Sequence, residues 1–135
     1  MKHKLRYIGV DFDGTIVDTI EYPKIGELRT NAKNTIDYLK EQGFVLVLWT
    51  CREGKELKNA IKFLKDNDIE FDYINENPKE LQDVHNNDPR KLGVDVFIDD
   101  KNFNIITGDS IDWTLIKFTA ELKWECVTLD EYTKR

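Results

Sequence analysis

Tyr7-Ile8-Gly9-Val10-Asp11-Phe12-Asp13-Gly14-Thr15-Ile16-Val17 is the stretch on which the reading of this chain turns. A short apolar run ends in two carboxylates at i and i+2, followed by a glycine and a hydroxyl. In extended backbone, residues two apart share a face, so Asp11 and Asp13 are expected to point toward one site. Gly14 lets the backbone leave the strand through a conformation that residues with a Cβ resist. Two adjacent carboxylates repel unless a cation lies between them or one takes a proton. Hard divalent cations prefer oxygen ligands, and Mg²⁺ commonly uses one or two carboxylates plus substrate phosphate. Alone, such a pair favours the plain reading of a strand followed by a polar turn, so the decision rests on what the rest of the chain brings to it.

Working outward, residues 6–10 form the first strand, short, apolar and ended by turn chemistry. Residues 18–28 mix polarities and include Pro23 and Gly26, which predicts a loop or small hairpin. A helix follows from near Thr30, a plausible N-cap, with Ala32, Ile36 and Leu39 on its buried face and Gly43 at its C-terminal stop. Residues 44–50 are apolar at almost every position, the mark of a strand covered on both faces in a parallel sheet. Arg52 and Glu53 lead into a second helix striped by Leu57, Ala60, Ile61 and Leu64. A third strand spans 71–74, a polar stretch with a turn of helix at 79–84 spans 75–90, and a fourth strand spans 94–98. That strand ends in Asp99-Asp100. Ile111, Leu115, Phe118 and Leu122 fit one helical face with Asp112 near its start, although 113–119 is also rich in β-favouring residues. The chain from Trp124 onward carries no clear pattern.

Alternating strands and helices predict one α/β domain over residues 1–135 with a mainly parallel sheet. In such sheets ligands bind beyond the carboxyl ends of the strands, where the strand order reverses. Three of the expected strands end in polar groups: Asp11 and Asp13, Thr50, and Asp99 with Asp100. Convergence of all three on one crevice is far less probable by chance than any one alone.

Composition bounds the rest. A chain of 135 residues supports one substantial core but not two. Its 34% charged and 40% hydrophobic residues are ordinary for a soluble domain, and a net charge of −6 disfavours non-specific binding to nucleic acid or an anionic membrane. Two cysteines, Cys51 and Cys126, form no disulfide framework or zinc spacing and suit a reducing cytoplasm. The apolar run after Lys2, Lys4 and Arg6 is too short for a signal peptide or membrane span.

The order DFDGT, then Thr50 after FVLVLW, then a basic residue, then FIDD resembles the haloacid dehalogenase superfamily of phosphohydrolases, over residues 6–104. The resemblance implies a Rossmann-like three-layer sandwich of the small type that has no cap domain. Superfamily members often carry a cap after the first or third strand, and neither interval here has room for one. It implies Asp11 as nucleophile, Asp13 as general acid and then base, and Thr50 as ligand of a phosphoryl oxygen. Lys91 would balance charge, with Arg90 and Lys101 as nearby alternatives, and Asp11, Asp13, Asp99 and Asp100 would hold Mg²⁺. The implied reaction is Mg²⁺-dependent hydrolysis of a phosphate monoester, belonging to a small molecule or a macromolecular end, through an aspartyl-phosphate.

The chemistry supports that order independently of the resemblance. A dianionic monoester repels a carboxylate unless cations screen it. Covalent attack by Asp11 then divides hydrolysis into two easier steps, and Asp13 can supply and later take the proton. Arg52 with Glu53 reads equally as substrate contact or as a salt bridge at a helix start; a similar Ser/Thr-x-Arg-Glu sequence occurs in the phosphatase domain of phage polynucleotide kinases. Asn75 and Asn77 follow the third strand and fit either the crevice or turn chemistry. His85 reads as a surface histidine, Cys51 as packing, and Trp113 and Trp124 as core or partner contacts, in keeping with a possible homo-oligomer. A non-hydrolytic phosphate-binding module on the same fold is the alternative, although a binding module has no need of both Asp11 and Asp13. A response-regulator receiver would place its acidic pair after the first strand, and a dinucleotide-binding fold would show GxGxxG there. Here the adjacent pair Asp99-Asp100 comes late, after the fourth strand, and no GxGxxG follows the first.

Overall fold

The computed structural model describes residues 1–102 and 111–134. Its centre is a four-stranded sheet in the order β4-β3-β2-β5, from β2 (Tyr7–Val10), β3 (Val45–Leu48), β4 (Tyr73–Ile74) and β5 (Val96–Ile98). A two-stranded ladder joins β1 (His3–Leu5) to β6 (Trp124–Cys126). Both ladders are parallel throughout. The fold is therefore α/β with parallel sheets, consistent with a Rossmann-like arrangement. The chain steps from β2 to β3 to β4 in one direction and then returns to the other side of β2 for β5. The reversal of strand order thus falls between β2 and β5, whose registers pair Val10 with Ile98.

The continuous apolar runs of the sequence are explained by burial on both sides. Ile8, Val10, Leu46, Leu48 and Ile98 face one core, where they meet Ile36 and Leu39 of α1 (Ala32–Glu41), Ala60 and Leu64 of α2 (Gly54–Asp66), and Trp113 and Ala120 of α4 (Trp113–Lys123). The alternate residues Tyr7 and Val47 are equally buried. On that side Leu92 and Phe97 approach Gly9 so closely that a Cβ there would crowd both. Tyr7 also donates from its hydroxyl to Glu80 in α3 (Lys79–His85), which brings that short helix against the sheet.

Several expectations need correction. The helix expected to start near Thr30 is capped by Asn31, in a left-handed conformation at φ 66°, and Asn31 turns its side-chain amide to Thr114 instead of to its own helix. Gly43 does stop α1, at φ 95°. The fourth strand is shorter than 94–98, because Asp95 uses its carboxylate to accept the backbone N–H groups of Arg6 and Tyr7. At that point the N-terminal segment passes from β6 to the central sheet. Residues 113–123 are helical despite their β-favouring composition, with Asp112 accepting from the Leu115 N–H as N-cap. The buried face of α4 is not the one expected. Trp113 and Ala120 go inward, whereas Leu115, Phe118 and Leu122 point outward. The unassigned tail supplies β6 and the short helix α5 (Leu129–Thr133).

Residues 16–18 and 27–29 run beside one another, with the Asp18 N–H donating to the Glu27 carbonyl and the Arg29 N–H to the Ile16 carbonyl, both at 2.8 Å. This is the small hairpin expected after the first motif. Between β4 and β5 the chain forms only α3 and loops. Neither interval holds a separately folded unit. No helix among the described residues is long and apolar enough to cross a membrane.

Candidate active site

The site begins where β2 and β5 end. The Asp11 N–H donates to the Ile98 carbonyl at 2.9 Å, which extends the ladder by one residue and sets Asp11 beside the Asp99-Asp100 pair. One oxygen from each of these three carboxylates lies within 4.8 Å of the others. Thr15 ties them together: its hydroxyl donates to Asp11 Oδ2 at 3.0 Å and accepts the Asp100 N–H at 3.0 Å. Gly14, at φ 80°, has no alternative residue here. A Cβ would be strained by the backbone and would collide with the Asp100 carboxylate and, at 2.8 Å, with Thr19 Oγ1.

The electrostatics follow from this crowding. Burial, the nearby charge of Asp99 and a hydrogen bond with Asp100 push the Asp11 carboxyl up to about 7, only partly offset by donors at Thr15 and Phe12. A carboxylate so placed lacks a counter-charge. The donor set fits a hard divalent cation, since it offers three oxygen ligands from two strand ends.

Asp13 does not join this set, contrary to the expectation that it shares a face with Asp11. Extended geometry ends at Val10, and the N–H groups of Thr15, Ile16 and Val17 all fold back onto the Phe12 carbonyl. The turn swings Asp13 toward Arg52, which donates from Nε to Oδ2 at 2.7 Å and from Nη2 to Oδ1 at 2.8 Å. Arg52 is 1% exposed. Its guanidinium lies between the rings of Phe12 and Tyr22 and also donates to the Pro23 and Lys24 carbonyls. One side chain thus ties the first motif and the hairpin to the start of α2. Of the two readings left open for Arg52, the structure shows an ion pair, but with Asp13 and not with a helix neighbour.

Thr50 lies just past β3, half-buried. Its hydroxyl accepts the Arg52 N–H at 3.1 Å, which leaves its own proton for another acceptor. Asn75, left-handed at φ 54°, braces this loop: its Oδ1 accepts the Thr50 N–H at 2.8 Å and its Nδ2 donates to the Arg52 carbonyl. Asn75 therefore engages the Thr50–Arg52 backbone. Asn77 is buried and serves loop architecture, bonding Asp88, Pro89 and the Gly93 N–H. Lys91 is exposed and lines a groove of about 710 Å³ with Asn77, Leu81, His85 and Tyr132. None of the four motif aspartates lines that groove. Arg90, Lys101, His85, Glu53 and Cys51 are all exposed. Thr15 belongs to the first motif in the sequence but carries no role there; only the structure shows that its hydroxyl ties Asp11 to Asp100.

No protein-family model matches the chain, and no curated protein does. Among solved structures, a conserved protein from Bacteroides thetaiotaomicron is 38% identical, over 87% of this chain and 91% of that one, with a TM-score of 0.74. The chain belongs to that protein's family. A structure of the Pnkp1/Rnl/Hen1 RNA repair complex also matches, at 19% identity and a TM-score of 0.51, over 93% of this chain and 42% of that one. The second likeness concerns the fold alone. The first extends over most of both chains.

Proposed function

We propose that the chain is a Mg²⁺-dependent phosphomonoesterase of the haloacid dehalogenase superfamily, a capless, Rossmann-like three-layer sandwich working in the cytoplasm, with Asp11 as nucleophile. The observation that carries this reading is the meeting of Asp11, Asp99 and Asp100 where the strand order reverses, with Asp13 held apart by Arg52. When bound by Asp11, Asp99 and Asp100, Mg²⁺ supplies positive charge that lets an anionic nucleophile approach a dianionic phosphate.

The chain's own groups do the rest. A carboxylate oxygen of Asp11 forms a bond to phosphorus as the bond to the leaving oxygen breaks, and Asp13 gives the leaving group its proton. Water then attacks phosphorus, returns a proton to Asp13, and frees inorganic phosphate and the Asp11 carboxylate. Each Asp13 oxygen accepts one N–H from Arg52 and keeps a second lone pair for that proton. The Thr50 hydroxyl donates to a phosphoryl oxygen, with Asn75 bracing its loop. We assign the built-in positive charge to Arg52 in preference to Lys91, because Arg52 is bonded to Asp13 whereas Lys91 lines a separate groove.

The substrate is a phosphate monoester on a small molecule or a macromolecular end, reached through an open crevice. The neighbour from an RNA repair complex makes a phosphorylated RNA end one substrate to assay beside sugar and nucleotide phosphates. The test is phosphate release from an aryl phosphate with and without Mg²⁺, by the parent and by Asp11→Asn. Release that requires both Mg²⁺ and Asp11 supports the reading. Equal release by Asp11→Asn, or none by the parent on any phosphate tried, refutes it.

A further inference from the structure

We infer that Tyr22 sets the substrate preference of the crevice, and that its exposed ring stacks on the base of a nucleoside monophosphate whose phosphate is removed. The inference rests on the phosphatase reading given above and adds a substrate class to it. The Arg52 guanidinium lies between two rings with different surroundings. Phe12, on one side, is fully buried. Tyr22, on the other, is 59% exposed although the guanidinium takes one face of its ring. The open surface is therefore the opposite face and the rim. Arg52 is itself held by Asp13 and by the Pro23 and Lys24 carbonyls, so it gives the Tyr22 ring a fixed seat.

Distance and chemistry select the ligand. The Tyr22 ring centroid is 5.0 Å from Arg52 Cζ. A bidentate pair sets that carbon about 4 Å from the carboxylate carbon of its partner, so the ring lies no more than about 9 Å from the Asp13 carboxyl. Asp13 is the group that gives the leaving oxygen its proton. A leaving group that starts at Asp13 and carries a ring one pentose further on therefore reaches Tyr22. An open aromatic face also favours a flat partner, and stacking accepts any base because every base has a π-face. A polyol would need hydrogen-bonding groups around the ring. The chain neighbours of Tyr22 offer few, because Glu21 pairs with Lys24 and Pro23 has no N–H. An acyl chain would need an enclosed groove, which one exposed ring does not make.

Substrates that differ only by the base test this: adenosine 5′-monophosphate against ribose 5-phosphate, and adenosine 3′-monophosphate against ribose 3-phosphate, each with Mg²⁺. In at least one pair the parent should show a kcat/KM about tenfold or more higher for the nucleotide. Tyr22→Ala should remove that preference, through KM more than through kcat, and Tyr22→Phe should keep it. A parent without preference in either pair would overturn the inference. So would a Tyr22→Ala loss that falls equally on nucleotide and ribose phosphate, since the ring would then only roof Arg52. An adenylate pentamer ending in the same phosphate names the source of the base. A kcat/KM at or above that of the mononucleotide assigns it to a nucleic-acid end, and a lower one to a free nucleotide. Binding separates the inference from the phosphatase reading. Asp11→Asn, titrated calorimetrically with the same compounds, should bind the nucleotide about tenfold more tightly than the ribose phosphate, whether or not the parent releases phosphate. Adding Tyr22→Ala should erase the difference. Equal affinities in Asp11→Asn would overturn the stacking role even if the parent proves to be a phosphatase.

Discussion

The Arg52 guanidinium grips both carboxylate oxygens of Asp13, at 2.7 and 2.8 Å, and does so from a position almost wholly out of solvent. The grip fixes Asp13, whose own side chain remains 35% exposed. Lysine cannot reproduce two parallel donors plus contacts to Pro23 and Lys24. Arg52→Lys should therefore lower kcat by about tenfold or more, and lower Tm as well because the hairpin loses its anchor. Lys91→Ala should leave both nearly unchanged. Steady-state kinetics and thermal melts on the two variants decide this. A larger loss for Lys91→Ala would return the charge-balancing role to it.

Gly14 offers a sharper structural test. Its φ of 80° and the approach of the Asp100 carboxylate leave no space for a methyl group. Gly14→Ala should displace Asp100 or the turn itself, and weaken divalent cation binding by about tenfold or more. Calorimetric titration with Mg²⁺ or Mn²⁺ reads this without any substrate. Unchanged affinity would mean that Asp100 is not a ligand.

How much of this was legible beforehand depends on whether a feature is local. The four strands of the central sheet are legible in place, though not in length, because apolar runs bounded by glycine and acidic residues are local signals, and Asp11 with Asp99 and Asp100 follows from strand ends that any parallel sheet brings together. Asp13 departs from the expectation because strand geometry ends at Val10 and the chain then turns around the Phe12 carbonyl. Lys91 is marked out in the sequence only by its place before a strand, and sequence order does not say which way a loop residue faces. The ion pair of Arg52 is not legible in the sequence because its partner Asp13 lies 39 positions away. The outward stripe of α4 was mistaken for its core face, since Leu115, Phe118 and Leu122 have a better apolar period than Trp113 and Ala120, the residues that the fold buries. No pattern in β1 or β6 announced that two short polar-flanked segments would pair across almost the whole chain.

Cation binding should also appear as stability. The carboxyl of Asp11 is pushed up because it is buried beside Asp99 and Asp100, a strain that a bound cation relieves. At a Mg²⁺ concentration about 100 times its dissociation constant, linkage adds about 2.7 kcal/mol to the folded state. Thermal melts should then rise by several degrees and fall back with a chelator. Asp99→Asn combined with Asp100→Asn should abolish the response while Lys91→Ala keeps it. A parent whose melting is indifferent to Mg²⁺ would count against the metal assignment.

Far from the crevice, Glu80 links α3 to the start of the sheet. It accepts from Arg6 Nε at 2.8 Å and from the Tyr7 hydroxyl, and these donors hold its carboxyl below the ordinary glutamate value of 4.5. A carboxylate whose folded-state value is depressed binds fewer protons folded than unfolded, in the window between the two values. Its contribution to stability is therefore fully present above 4.5, and it is lost as pH falls through the lower, folded-state value. Glu80→Gln removes that titration but keeps the shape, so the variant should be less stable than the parent at neutral pH by about 1 kcal/mol. The gap should close on acidification below 4.5. Urea unfolding of both proteins across this range measures the difference at each pH. A gap that stays constant down to the acid end would show that Glu80 stabilises the fold by packing, with no part for its charge.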